Sequence, residues 1–91
     1  MDQLSFKITQ NGKEIIYEVI ATYHDDGSNK DFVIYTDKTL NEEKKLNIYY
    51  SLYRLENNEI ILLETGDLED KRLGLELIKE IGNMLYKWLF L

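Results

Sequence analysis

The sequence predicts an α+β fold: a five-stranded antiparallel meander sheet with one C-terminal amphipathic helix packed on one face. Three observations predict it. Apolar residues alternate with period two through the first two-thirds of the chain, Asn-Gly and Asn-Asn pairs punctuate the alternation, and from about Glu69 the apolar spacing turns helical. The 91 residues make room for a single domain, 1–91, with one sizeable core. A compact chain of 10.8 kDa exposes about 5,500 Å² when folded.

The first element is a hairpin. Leu4, Phe6 and Ile8 alternate with Ser5, Lys7 and Thr9, Asn11-Gly12 follows, and Ile15, Tyr17, Val19, Ala21 and Tyr23 alternate in turn. Asn-Gly suits a two-residue type I′ turn, because both central residues need positive φ. With Gln10 opposite Lys13, Ile8 meets Ile15, Phe6 meets Tyr17 and Leu4 meets Val19, all on one face, with Lys7/Ile16 and Ser5/Glu18 on the other. A slip of one residue destroys that agreement.

Residues 25–30 (DDGSNK) read as a loop, and residues 31–36 (DFVIYT) as a third strand of branched and aromatic residues. Residues 37–45 are polar and read as a longer loop. Leu46, Ile48, Tyr50 and Leu52 then alternate with Asn47, Tyr49, Ser51 and Tyr53 as a fourth strand. Asn57-Asn58 turns the chain into a fifth strand over residues 60–65, pairing Leu52 with Leu63 on the inner face and Tyr53 with Leu62 on the outer. A two-residue turn there sets Glu56 against Glu59, a like-charge pair that argues for a longer turn.

In the helix, Leu73, Leu77, Ile78, Ile81, Met84, Leu85, Trp88 and Leu89 fill an arc of about 160° at 100° per residue. Arg72, Glu76, Lys79, Glu80, Asn83 and Lys87 fill the opposite side. Asp67 reads as the N-cap, and Glu69 and Asp70 complement the macrodipole. Gly74 and Gly82 each cost about 1 kcal/mol against alanine. Gly74 lies inside the apolar arc, where close approach to the sheet explains it.

The segment Phe32-Val33-Ile34-Tyr35-Thr36-Asp37 resembles the hallmark strand of a family of small bacterial proteins, domain of unknown function 1292. The likeness continues through Ile48-Tyr49-Tyr50-Ser51-Leu52-Tyr53 and Leu62-Leu63-Glu64 into the helix, from about Tyr17 to Leu85. The chain departs from that pattern at the helix start, where Leu68, Arg72 and Gly74 stand in place of an acidic run with an aromatic residue. The resemblance implies a fold and a bacterial origin; the family brings no catalytic residues to carry over.

Seventeen acidic against eleven basic residues leave a net charge of −6, which repels phosphate backbones and anionic lipid. Seven tyrosines suggest base stacking, but that reading needs interleaved Lys and Arg, and near Tyr49, Tyr50 and Tyr53 stand only Arg54, Lys44 and Lys45. Carboxylates clustered on one face would instead make an acidic inhibitor or nucleic-acid mimic. The absence of cysteine excludes disulfides, thiolate zinc sites and thiol catalysis. No apolar run approaches the ~20 residues of a membrane span, and Met1-Asp2-Gln3-Leu4 carries no basic leader, so a cytoplasmic location is expected.

Two places offer chemistry. His24-Asp25-Asp26 sets the single histidine beside carboxylates, residue types that hold metals, and the loop from His24 to Asp31 can thus serve a metal or small ligand; it lacks the spacing of a calcium loop. Tyr35-Thr36-Asp37 offers a base at Asp37, without a histidine, cysteine or phosphate-binding loop to complete a catalytic set. No cofactor is expected. The larger signal is excess apolar surface: Ile16, Ile20, Tyr49, Tyr53 and Leu62 on the outer sheet face, with Leu75, Tyr86 and Phe90 beside the helix arc. The expectation is a non-catalytic interaction module, binding a protein partner or a second copy through Ile16, Ile20, Tyr49, Tyr53, Tyr86 and Phe90.

Overall fold

The computed structural model describes residues 5–64 and 67–89, with side chains as far as residue 84. Five strands, β1 (Ser5–Gln10), β2 (Lys13–Asp25), β3 (Lys30–Leu40), β4 (Leu46–Glu56) and β5 (Glu59–Leu63), precede one helix, α1 (Leu68–Leu89). Each strand pairs antiparallel with the next, in the order β1-β2-β3-β4-β5. The meander and its C-terminal helix are thus as expected from the residue pattern.

Turn chemistry sets the registers at both ends of the sheet. Asn11 (φ 51°) and Gly12 (φ 78°) both take positive φ, and the register is the one the hairpin arithmetic requires, with Ile8 opposite Ile15 and Phe6 opposite Tyr17. Leu4 lies outside the described residues. Asn57 (φ 51°) and Asn58 (φ 66°) make a second turn of the same kind, so Glu56 does face Glu59. The expected longer turn is not needed, because Arg54 neutralises Glu56 at 3.2 Å. β3 and β4 extend beyond their expected ends: the polar stretch after Thr36 continues β3 through an irregularity to Leu40, with Lys38 at φ 66°.

Phe32, Val33 and Ile34 are each 0% exposed. Successive strand residues point to opposite faces, so the middle of β3 is covered on both sides. On one side lies α1. Phe32 pairs with Leu52 and Ile34 with Tyr50, and Gly74 of the helix sits so close to the Tyr50 ring that a Cβ there would clash with it. Leu73, Leu77, Ile78 and Ile81 are partly covered. Met84, placed by periodicity in the seated arc, is instead 60% exposed. A 22-residue helix is about 33 Å long, and α1 lies chiefly against β4 and β3, too narrow a bed for its whole length.

The other side is covered by the sheet itself. Phe6, Tyr17, Val19 and Val33 form a buried cluster, with Tyr35, Tyr53, Ile60 and Leu62 packed against it. In a flat sheet the two edge strands stand about 19 Å apart, four spacings of about 4.8 Å. Side chains from both edges meet here, so the sheet is curled, concave on the face without the helix. Phe6, Tyr17 and Tyr35 pack ring to ring, with centroids 5.1–5.5 Å apart.

A bulge makes this possible and corrects the expected assignment of faces. Val19 pairs with Tyr35 and Ala21 with Ile34, leaving Ile20 as an extra residue. One inserted residue inverts every side chain beyond it. Ala21 and Tyr23 therefore share the helix side with Ile34 and Phe32, whereas Ile15, Tyr17 and Val19 share the concave side with Tyr35. The apolar side of the first hairpin faces away from α1, where unbroken alternation would have put it under the helix.

Among the described residues, no helix is long and apolar enough to cross a membrane. Gly74→Ala should destabilise the fold by about 1–3 kcal/mol through overpacking against Tyr50, despite alanine's better helix propensity. Gly82→Ala, with open space around its Cβ, should stabilise by up to about 1 kcal/mol. Chemical denaturation of both variants checks the pair, and a Gly74→Ala gain would contradict the packing.

Candidate functional site

The sites expected from the sequence fall at the β2–β3 turn, at the end of β3 and, only in part, on the concave face. The β2–β3 turn carries the only histidine. His24 Nδ1 and Asp31 Oδ1 lie 2.8 Å apart across the second rung of the hairpin, and Nε2 lies 3.6 Å from Asp26. Its pKa is raised, first by the hydrogen bond to Asp31 and further by the charges of Asp31, Asp26 and Asp25. Asp25 accepts both the backbone N–H (3.1 Å) and the hydroxyl (2.6 Å) of Ser28, which closes the turn. His24 and Asp26 are thus brought together, while Asp25 is engaged within the loop. Among the described residues no group of three or more His, Cys, Asp or Glu side chains is disposed to hold a metal ion.

Beside this turn stands the start of α1. Asp67 Oδ1 accepts the Asp70 N–H at 2.8 Å, the expected N-cap. Lys30 donates to Asp70 at 2.7 Å and to Asp67 at 3.3 Å, and these two bonds, Asp70 first, raise its pKa. The Asp67 carboxyl is held below the usual range, first by the N–H of Asp70 and then by Lys30. Asp70 is only 5% exposed. Residue pattern placed it on the first helical turn as a dipole complement; only the fold reveals that it clasps the helix to the β2–β3 end of the sheet.

Tyr35, Thr36 and Asp37 do not converge into a site. Thr36 pairs with Ile48 on the helix side, donates its hydroxyl to the Asn47 carbonyl at 2.7 Å and accepts the Lys38 N–H at 3.0 Å. Tyr35 points to the concave side, in the aromatic cluster, where burial and then the nearby Tyr17 and Tyr49 raise its pKa. Asp37 accepts the Thr39 N–H (3.0 Å), the Thr39 hydroxyl (2.6 Å) and the Tyr49 hydroxyl (3.2 Å). These bonds, that of the Thr39 side chain first, lower its pKa, which makes it a weaker base. The triplet braces the irregular end of β3.

Of the six residues expected to bind a partner, the four whose side chains are described do not share one side of the sheet. Tyr49, 37% exposed, and the half-buried Tyr53 lie on the concave side. Ile16 is 58% exposed but pairs with Lys7 on the opposite side, where the hairpin extends past the helix. Ile20 is the half-buried bulge residue. The Tyr86 side chain and Phe90 lie outside the described residues. The bulge splits the set, because the expected grouping assumed unbroken alternation. Residue pattern also missed Leu55, 63% exposed, which lies with Phe6, Tyr53 and Ile60 along an open groove of the concave side.

Fold and surface together define a small α+β domain whose polar groups brace turns and whose apolar groups line a curved sheet. The chain is similar to a UPF0473 protein of Leuconostoc mesenteroides subsp. mesenteroides, 26% identical over 77 residues, covering 84% of this chain and 77% of that protein. This likeness is to a small uncharacterised bacterial protein. No family model matches the chain, and no solved structure matches it significantly.

A raised folded-state pKa means that proton uptake by His24 favours the fold. Its contribution is complete below the ordinary value of about 6.5 and lost as the pH rises through the raised value. Following the His24 ring protons by NMR should give a midpoint above 6.5 that moves down in Asp31→Asn. A wild-type midpoint at or below the ordinary value would contradict the pairing.

Proposed function

We propose that this chain is a non-catalytic protein–protein interaction module, a cytoplasmic adaptor or regulator that works by surface complementarity. One observation carries the reading. The chain exposes 7380 Å², about 1,900 Å² more than a compact monomer of its mass. Each partner in a standard interface contributes about 800 Å², so the excess is ample for one. It is in part apolar: Leu55, Ile16, Leu75, Leu68 and Met84 are all exposed. Net charge −6 favours a protein over nucleic acid or an anionic membrane as the partner. The likeness to a small uncharacterised bacterial protein and the strand Phe32-Val33-Ile34-Tyr35-Thr36-Asp37 together support kinship with domain of unknown function 1292. A metal or small-ligand role for the loop from His24 to Asp31 has less support, since Asp25 is already engaged by Ser28.

Size-exclusion chromatography of the tagged protein, purified and in extract of its native cells, tests the reading. The expected result is an apparent mass at least about twice 10.8 kDa in one of the two, as a dimer or bound to a partner. Elution as a monomer in both would overturn it.

A further inference from the structure

The curled sheet does not close. β1 and β5 are its two edge strands and do not pair with each other, yet side chains of both pack on one cluster. Between them runs an open groove of about 630 Å³. Phe6 and Lys7 line it from β1, Tyr53 and Leu55 from β4, and Glu59 and Ile60 from β5. We propose that this seam accepts an extended segment of a partner protein as an added β-strand; the proposal rests on the interaction reading above and names its site and mode.

The chemistry of the seam selects that occupant. An edge strand presents a row of unpaired N–H and C=O groups, and an extended peptide satisfies them through its main chain while its alternate side chains fill pockets. Here two edges flank one groove, and its floor is apolar: Phe6 is buried, Tyr53 and Ile60 are half-buried, and Leu55 is exposed. Lys7 stands on one rim and Glu59 on the other. Among the described residues neither makes an ion pair, in contrast to Lys30, Lys38 and Arg54. A complementary segment therefore alternates apolar and polar residues, with a carboxylate toward Lys7 and a cation toward Glu59. Five or six residues suffice, since β1 has six and β5 five.

The test uses the whole chain and a displayed library of short random peptides. Peptides enriched on the wild type should alternate apolar and polar residues and avoid proline. The best of them, made synthetically, should shift the amide resonances of β1 and β5 and leave those of α1 in place. Leu55→Asp, at an exposed position, should weaken it about tenfold or more without changing the circular dichroism spectrum or melting temperature, and removing residues 2–4 should leave its affinity unchanged. Enriched peptides without alternation, or shifts confined to other surfaces, would overturn the proposal. So would binding that appears only after residues 2–4 are removed, which would make the chain's own start the occupant. A wild-type dimer that the peptide must dissociate would make it a second copy. If the protein associates in the size-exclusion experiment and Leu55→Asp leaves that association and peptide binding intact, the seam proposal falls alone and the interaction reading stands.

Discussion

The structure depends on covering β3 from both sides with only 91 residues. Phe32, Val33 and Ile34 are all inaccessible to solvent, which demands apolar cover above and below one sheet, and the described residues hold a single helix to supply it. The helix takes one side. The other is taken by the first hairpin, which needs its apolar side turned away from the helix although it belongs to the same continuous sheet. The extra residue at Ile20 makes that turn. It costs a locally disrupted ladder, and it bends the strand so that β1 comes round toward β5.

The elements of the fold were legible in the residues because each rests on short-range chemistry. Asn11-Gly12 and Asn57-Asn58 take positive φ, Asp67 caps the helix, and Gly74 marks the close approach to Tyr50. The faces were not legible. Ile15, Tyr17, Val19, Ala21 and Tyr23 alternate without interruption, and because both sides of the sheet bury apolar groups, an inserted residue leaves no polar misfit in the pattern. The same ambiguity placed Ile16 beside Tyr49 and Tyr53, which the bulge puts on opposite sides. The Lys30–Asp70 pair was hidden for a different reason: forty positions separate its members, and only the packed helix brings them together.

The polar groups that suggest chemistry are spent on architecture. His24 spans the second rung of its hairpin, Asp25 closes the turn, and Asp37 gathers Thr39 and Tyr49 at the irregular end of β3. Apolar groups are left over instead, because a curled five-stranded sheet and one helix cannot enclose all of them. Leu55 stands over an open seam, Met84 stands clear on the helix, and the total exposed area exceeds that of a compact monomer. On the proposed reading, these leftover apolar groups are what a second chain covers.

The inversion at Ile20 is tested most directly by proton NOEs among the aromatic rings. The Tyr17 ring should show contacts to the rings of Phe6 and Tyr35, whose centroids lie 5.5 and 5.1 Å away, while the Tyr50 ring contacts the α-protons of Gly74. Contacts from Phe6 or Tyr17 to Leu73 or Leu77 of the helix would put both apolar sides on one face, and the two-sided account of the fold would be wrong.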